Sequence, residues 1–188
     1  MGLTILVVVA LVALAAVSYF VAVYNGLIAV KNNIDKAWAN IDVLLKQRHD
    51  EIPKLVDVCK GYMTHESGTL EAVIKARQNV MSAQGPAAMG QAEGALATSM
   101  RQLFALAENY PILKAQSSFQ QLQDRVSALE SQIADRREFY NDSVNTYNIR
   151  IASLPDTVIA SLLHLAPREM YKVDTVDRED VKIDFGQK

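Results

Sequence analysis

No Asp, Glu, Lys or Arg occurs before Lys31 in this 188-residue chain. One such residue at the centre of a spanning helix costs roughly 2.5 to 3.5 kcal/mol on insertion scales. The segment from Gly2 to Tyr24 carries no such penalty and is almost wholly apolar. About 20 apolar residues wound as a helix match the hydrocarbon thickness of a bilayer. A positive n-region is also missing, because no Lys or Arg precedes the run. That argues against a cleaved signal peptide, although an Ala13-Leu14-Ala15 triplet is present. Apolar residues continue past the triplet to Val23. Residues 1–24 therefore read as a transmembrane anchor with a short external N-terminus.

Other absences narrow the function. A single cysteine, Cys59, excludes an internal disulfide and agrees with a reducing compartment. Lys and Arg total 19 against 21 Asp and Glu, a net charge of −2. No basic footprint for nucleic acid exists at that balance. Three histidines are present, His49, His65 and His164. His65-Glu66 begins like the zinc-protease pattern H-E-x-x-H, but Thr69 stands where the second histidine belongs. C-x-x-C, G-x-S-x-G and Gly-rich phosphate loops are all missing. The expectation is a non-enzyme with no catalytic residue, no cofactor and no metal set.

Positive charge begins on the C-terminal side of the anchor, with Lys31, Lys36, Lys46 and Arg48. Positive-inside logic places the main domain in the cytoplasm and makes this a single-pass membrane protein. Tyr19, Phe20 and Tyr24 suit the aromatic belt at the inner interface.

Beyond the anchor the dominant signal is helical. Ile34, Trp38, Ile41, Leu45, Arg48, Ile52, Leu55, Cys59 and Tyr62 alternate in steps of four and three, one heptad-like seam. Pro53 falls inside it, but the seam continues in phase, which favours a kink over a stop. His65–Gly68 reads as a break. A short helix follows over Thr69–Met81, with Leu70, Val73, Arg77 and Val80 at helical spacing. Ser82–Gly94, rich in Gly and Ala with a Gly85-Pro86 pair, reads as loop or weak helix. Leu96 to Tyr110 forms another helix, ended by Pro111. Ser118-Phe-Gln-Gln121 offers a capping box. Apolar positions then march from Phe119 to Leu154 until Pro155, a helix about 55 Å long.

Two long seams pack antiparallel most simply, with the shorter helices completing a bundle. The fold class is therefore all-α: an N-terminal transmembrane helix followed by an elongated antiparallel helical bundle over residues 25–171. Asp156–Leu165 is a short apolar helix. Its polar face lacks the Lys and Arg of interfacial helices, which favours a core cap over contact with the bilayer. Residues 172–188 form a charged tail in which Val181-Lys-Ile-Asp-Phe185 alternates like a strand.

The unusual side chains are polar ones close to the seams. Asp42, Arg48 and His49 cluster on the first long helix, and Arg137, Tyr140, Asn141, Tyr147 and Asn148 on the last. The Tyr-Asn pair recurs after one heptad, so both tyrosines share a face. Two readings compete. These groups satisfy one another and fix bundle register, or they form a partner or ligand site. Register is the better-attested use of such residues.

The same residues carry a family resemblance. Ala37-Trp38-x-x-Ile41-Asp42-x-x-Leu45-x-x-Arg48-His49-Asp50-x-Ile52-Pro53-x-Leu55-Val56, then Lys60-Gly61-Tyr62-x-x-His65-Glu66, resembles the N-terminal signature of the LemA family. Tyr110-Pro111-x-Leu113-Lys114-Ala115, Phe119-x-x-Leu122-Gln123 and Arg137-x-x-Tyr140-Asn141-x-x-Val144-x-x-Tyr147-Asn148-x-x-Ile151 resemble its second half. The likeness runs in register from Val21 to Tyr171. Leu154 stands where the family has Phe before Pro155, and the tail follows no fixed motif. The resemblance implies a bacterial-type inner-membrane protein with a cytoplasmic helical bundle and no established enzymatic activity. It also implies an association with membrane zinc metalloproteases and, in one branch, with magnetosome membrane organisation.

The function expected from these readings is a membrane-anchored, non-catalytic interaction or scaffold protein. Its expected partners are the lipid bilayer and other proteins: further copies of itself or a membrane metalloprotease. The alternative is a sensory or ligand-binding bundle that uses a polar pocket around Arg48, Asp42, Tyr140 and Asn141.

Overall fold

Apolar positions recurring every three or four residues wind nearly the whole chain into helices. The computed structural model describes residues 1–172. Among them are six α-helices and no strand. The strand-like Val181–Phe185 lies outside the described residues.

Helix α1 (Gly2–Lys60) continues from the apolar segment into the first seam without a break. Pro53 lies inside it and does not end it, although its ring leaves the His49 carbonyl without the usual amide donor. The turn after α1 comes at residues 61–66, earlier than the break expected at His65–Gly68. It is closed by the Met63 amide donating to the Cys59 carbonyl at 2.8 Å.

Helix α2 (Ser67–Ser82) and helix α3 (Pro86–Ala107) pack against each other as a hairpin. Of the loop or weak helix expected over Ser82–Gly94, residues 83–85 are the loop and the rest from Pro86 is helix. Two local causes explain the difference. Gly85 takes φ 84, a conformation open to glycine, and turns the chain sharply. Pro86 then occupies the first helical position, where its missing amide costs nothing.

Pro111, expected only to end a helix, also starts the short α4 (Pro111–Lys114). Helix α5 (Ser117–Ala152) begins one residue before the anticipated capping serine. Its first turn is held by the Gln120 side-chain amide donating to the Lys114 carbonyl at 2.9 Å.

Helix α6 (Asp156–Leu162) ends in a Schellman arrangement. The Leu165 amide donates to the Ala160 carbonyl, the His164 amide donates to that of Ser161, and His164 takes φ 50. The expected core cap is only half a cap. Ile159 and Ala160 are buried, whereas Val158 and Leu162 face outward.

The chain forms two compact units, one of Met1–Glu51 with Asp124–Met170 and one of Ile52–Gln123 continuing from Tyr171. In the first unit every residue from Gly2 to Ala22 is exposed, and burial starts at Val23. From there Leu27, Ile34, Ala37, Ile41 and Leu45 of α1 form one side of the core. Val126, Leu129, Ile133, Tyr140, Val144, Tyr147 and Ile151 of α5 form the other. The Gly2–Lys60 helix is the one described helix whose length and composition allow it to cross a membrane.

In the second unit, Ile52, Leu55, Val56 and Cys59 of α1 are buried. So are Leu70 and Val73 of α2, and Leu96, Met100 and Leu103 of α3. Phe104 and Phe119 meet edge to face, with ring centroids 6.5 Å apart. Cys59 is fully buried, and burial pushes its thiol up to about 11. At neutral pH such a thiol is almost wholly protonated, and the thiolate is the reactive form. A maleimide is therefore expected to leave the folded protein unlabelled and to react fully in denaturant. Mass spectrometry of intact protein reads this directly, and prompt native labelling would contradict the buried position.

Candidate functional site

The polar residues singled out from the sequence lie along the contact between α1 and α5 in the first unit. Partner positions on α5 fall as those on α1 rise, so the helices run antiparallel. Arg150 Nη1 donates to the Gly26 carbonyl at 3.1 Å. The rings of Trp38 and Tyr140 sit 5.4 Å apart, tilted by 56°. Arg48 Nη1 lies 3.6 Å from Glu130 Oε1, and Glu51 Oε1 lies 3.6 Å from Arg125 Nη1.

Arg48 is buried, and its charge is compensated by a carboxylate that is itself partly exposed. A buried guanidinium needs such a partner, because an uncompensated charge in the core is strongly destabilising. His49 is half-buried beside it, and Asp42 is exposed. Arg137 and Asn141 are half-buried on α5. Trp38, packed on Tyr140, and Arg48 are ten residues apart on α1, about 15 Å along its axis. Arg48 and Tyr140 therefore sit at separate levels along the helix pair.

Three of the predicted residues do come together, on a segment that the sequence did not single out. After α6 the chain runs back along α5 as a non-helical strap over residues 166–170. The Tyr147 hydroxyl donates to the Ala166 carbonyl at 3.3 Å. Asn148 grips Arg168 twice: its Nδ2 donates to the Arg168 carbonyl, and its Oδ1 accepts from the Arg168 amide, both at 2.9 Å. The Tyr140 hydroxyl donates to the Glu169 carbonyl at 2.9 Å. Arg168 Nη2 also lies 3.6 Å from Asp35 Oδ1 on α1.

The recurring Tyr and Asn thus hold a stretch of backbone. Such a stretch has no ladder partners of its own, and side chains satisfy its polar groups. Burial pushes both phenols up; the Arg168 guanidinium opposes the shift and the Asp35 carboxylate adds to it. Glu169 adds a further upward push at Tyr140.

Sequence reasoning missed several members of this arrangement. The signal for Glu130 is indirect: a seam arginine calls for an acid on the facing helix. Arg150 bonds Gly26 and also Asp156, with Nε to Oδ2 at 2.5 Å. Its signal was positional: a basic residue in the last turn of α5 just before an acid that opens α6. Glu93, a buried carboxylate on α3, had no sequence signal. In the second unit the Tyr110 hydroxyl donates to Glu66 at 3.3 Å, and partial burial with that carboxylate pushes the phenol up. Among the described residues no group of three or more His, Cys, Asp or Glu side chains is placed to hold a metal ion.

The profile of the LemA family matches residues 37–185. Magnetosome protein MamQ 2 of Paramagnetospirillum magneticum is 30% identical over 88 residues, 47% of this chain and 32% of that protein. Magnetosome protein MamQ of Magnetospirillum gryphiswaldense is 30% identical over 78 residues, 42% of this chain and 28% of that protein. Protein LemA of Metamycoplasma hominis is 25% identical over 169 residues, 87% of this chain and 76% of that protein. The chain thus spans about a third of the length of the magnetosome relatives it matches.

Proposed function

The chain belongs to the LemA family, and from that premise we propose that it is a membrane-anchored interaction protein, a scaffold that holds its helical domain beside the bilayer. The observation that carries this reading is the state of α1. Its residues 2–22 are almost wholly apolar and exposed, yet the same helix continues into a packed core from Val23 onward. Exposed apolar surface of that extent marks a membrane or an interaction site on a soluble protein. The lysines that follow, beginning at Lys31, favour the orientation with the helical domain in the cytoplasm, at the inner membrane.

The roles of the polar side chains support a structural rather than catalytic reading. Arg48, Tyr140, Tyr147 and Asn148 contact groups of the protein's own chain. The partners proposed are further copies of the chain or an integral membrane protein such as a metalloprotease. Cross-linking of the full chain in native membranes, followed by mass spectrometry, tests this. Cross-links from the exposed lysines of the helical domain to one recurrent protein neighbour are expected. Recovery as a monomer without protein neighbours would overturn the scaffold reading.

A further inference from the structure

The outward face of α6 has no use within its unit. Leu154, Val158 and Leu162 are 80%, 57% and 66% exposed. Val158 and Leu162 are four residues apart, so they share one helical face. Ile159 and Ala160 are buried against the unit and fix which way that face looks.

The position of α6 along α1 identifies what meets this face. Arg150 Nη1 bonds the Gly26 carbonyl, and Gly26 follows Tyr24, the end of the uncharged apolar run, by about 3 Å of helix rise. Helix α5 runs antiparallel to α1, so its last residues, Ile151 and Ala152, lie further towards the span. Leu154 follows two residues after α5 ends, at that same end of the unit. The chain then turns, α6 starts at Asp156, and Asp156 Oδ2 accepts from Arg150 Nε. That bond ties the start of α6 to the same level.

We propose that the Leu154–Leu162 face is a second membrane contact, inserted among the acyl chains at the interface of the bilayer that α1 crosses. This rests on the reading of α1 as a membrane span. The occupant follows from continuity: the apolar face adjoins the apolar run at its domain-side end, where headgroups give way to hydrocarbon. The neighbouring charges fit that depth. Arg150 and Asp156 neutralise each other, so neither has to be stripped of water alone. A span plus a second apolar contact fixes the tilt and rotation of the first unit on the membrane, whereas a single helix leaves it free to swivel.

Fluorescence quenching on the full chain in phosphatidylcholine–phosphatidylglycerol vesicles tests this. An environment-sensitive dye is attached to Val158→Cys or Leu162→Cys. Ser127→Cys, exposed on α5 far from the span, is the aqueous control, and Val12→Cys reports the span. The protein without an added cysteine checks that buried Cys59 stays unlabelled. Expected at 158 and 162 are a blue shift, loss of iodide quenching relative to 127, and quenching by lipids spin-labelled near the headgroup. Iodide quenching equal to that at 127, with residue 12 quenched by deeply labelled lipid, would overturn the α6 contact and leave the anchor standing. Shielding from both iodide and lipid would also overturn it, because protein would then cover the face. If residue 12 also escapes lipid quenching, the anchor reading fails and the α6 contact fails with it.

Discussion

Gly90→Ala is expected to destabilise the protein by about 2 to 3 kcal/mol, the range for overpacking together with loss of a buried aromatic. Intrinsic preference predicts the opposite sign, since alanine in a helix interior is favoured over glycine by about 1 kcal/mol. Gly90 sits within α3, where it is buried. A Cβ built there would lie 1.7 Å from the Lys172 carbonyl oxygen and 2.7 Å from its carbon. Both are backbone atoms, so no rotamer change relieves the clash. The chain at Lys172 has to leave α3, and Tyr171, now 3% exposed, is drawn out with it.

Gly68→Ala is the control, because nothing lies within 4 Å of its would-be Cβ on α2. Chemical denaturation of the full chain in detergent, followed by circular dichroism, reads both variants. Trypsin cleavage after Lys172 gives a local readout, expected to accelerate in Gly90→Ala alone. If Gly90→Ala stabilises the helix as Gly68→Ala does, the close approach at Lys172 does not exist.

Gly90 also shows where a single sequence stops being legible. The Ser82–Gly94 stretch reads as loop or weak helix because glycine weakens helices, and that penalty is real. Here glycine is present for a tertiary reason, the passage of a distant segment over the helix, which no local pattern records. Pro111 is similar: the residue that ends one helix also opens the next, and sequence shows only the interruption.

Where one periodic face decides the structure, the reading holds. The seams of α1 and α5 are read from their three- and four-residue steps, and most of their buried positions follow, including Ile41, Ile52, Val126 and Val144, while Tyr62 and Leu154, at the seam ends, lie beyond the helices and are exposed. The apolar run from Gly2 to Ala22 becomes the exposed start of the same helix. The strap over residues 166–170 stays hidden for another reason. Its bonds are accepted mostly by backbone carbonyls, which every residue carries, so Ala166-Pro167-Arg168-Glu169-Met170 has no composition that announces them. Only the donors, Tyr140, Tyr147 and Asn148, stand out.

Those donors allow strap-holding to be separated from ordinary core packing. Tyr147 is among the largest fully buried side chains, and its hydroxyl bonds Ala166. Tyr147→Ala is expected to cost about 3 to 5 kcal/mol, as for other large aromatic deletions in a core. Tyr147→Phe keeps the ring and is expected to cost about 1 kcal/mol, the net value of one hydrogen bond. Equal losses in the two variants would mean that the hydroxyl, not the ring, carries the site.

The pH dependence provides a second test. Both phenols are pushed up in the fold, first by burial, so the folded protein holds the neutral, donating form more tightly than the unfolded chain does. Their contribution is fully present below the unfolded value of about 10 and is lost as pH rises through the raised folded values. Urea midpoints measured at neutral pH and above pH 10 should therefore fall in the wild type. They should fall less in Tyr140→Phe/Tyr147→Phe, which has no phenol to ionise at the strap. An alkaline loss as large in the double variant as in the wild type would place the titrating groups elsewhere and detach the strap from the two tyrosines.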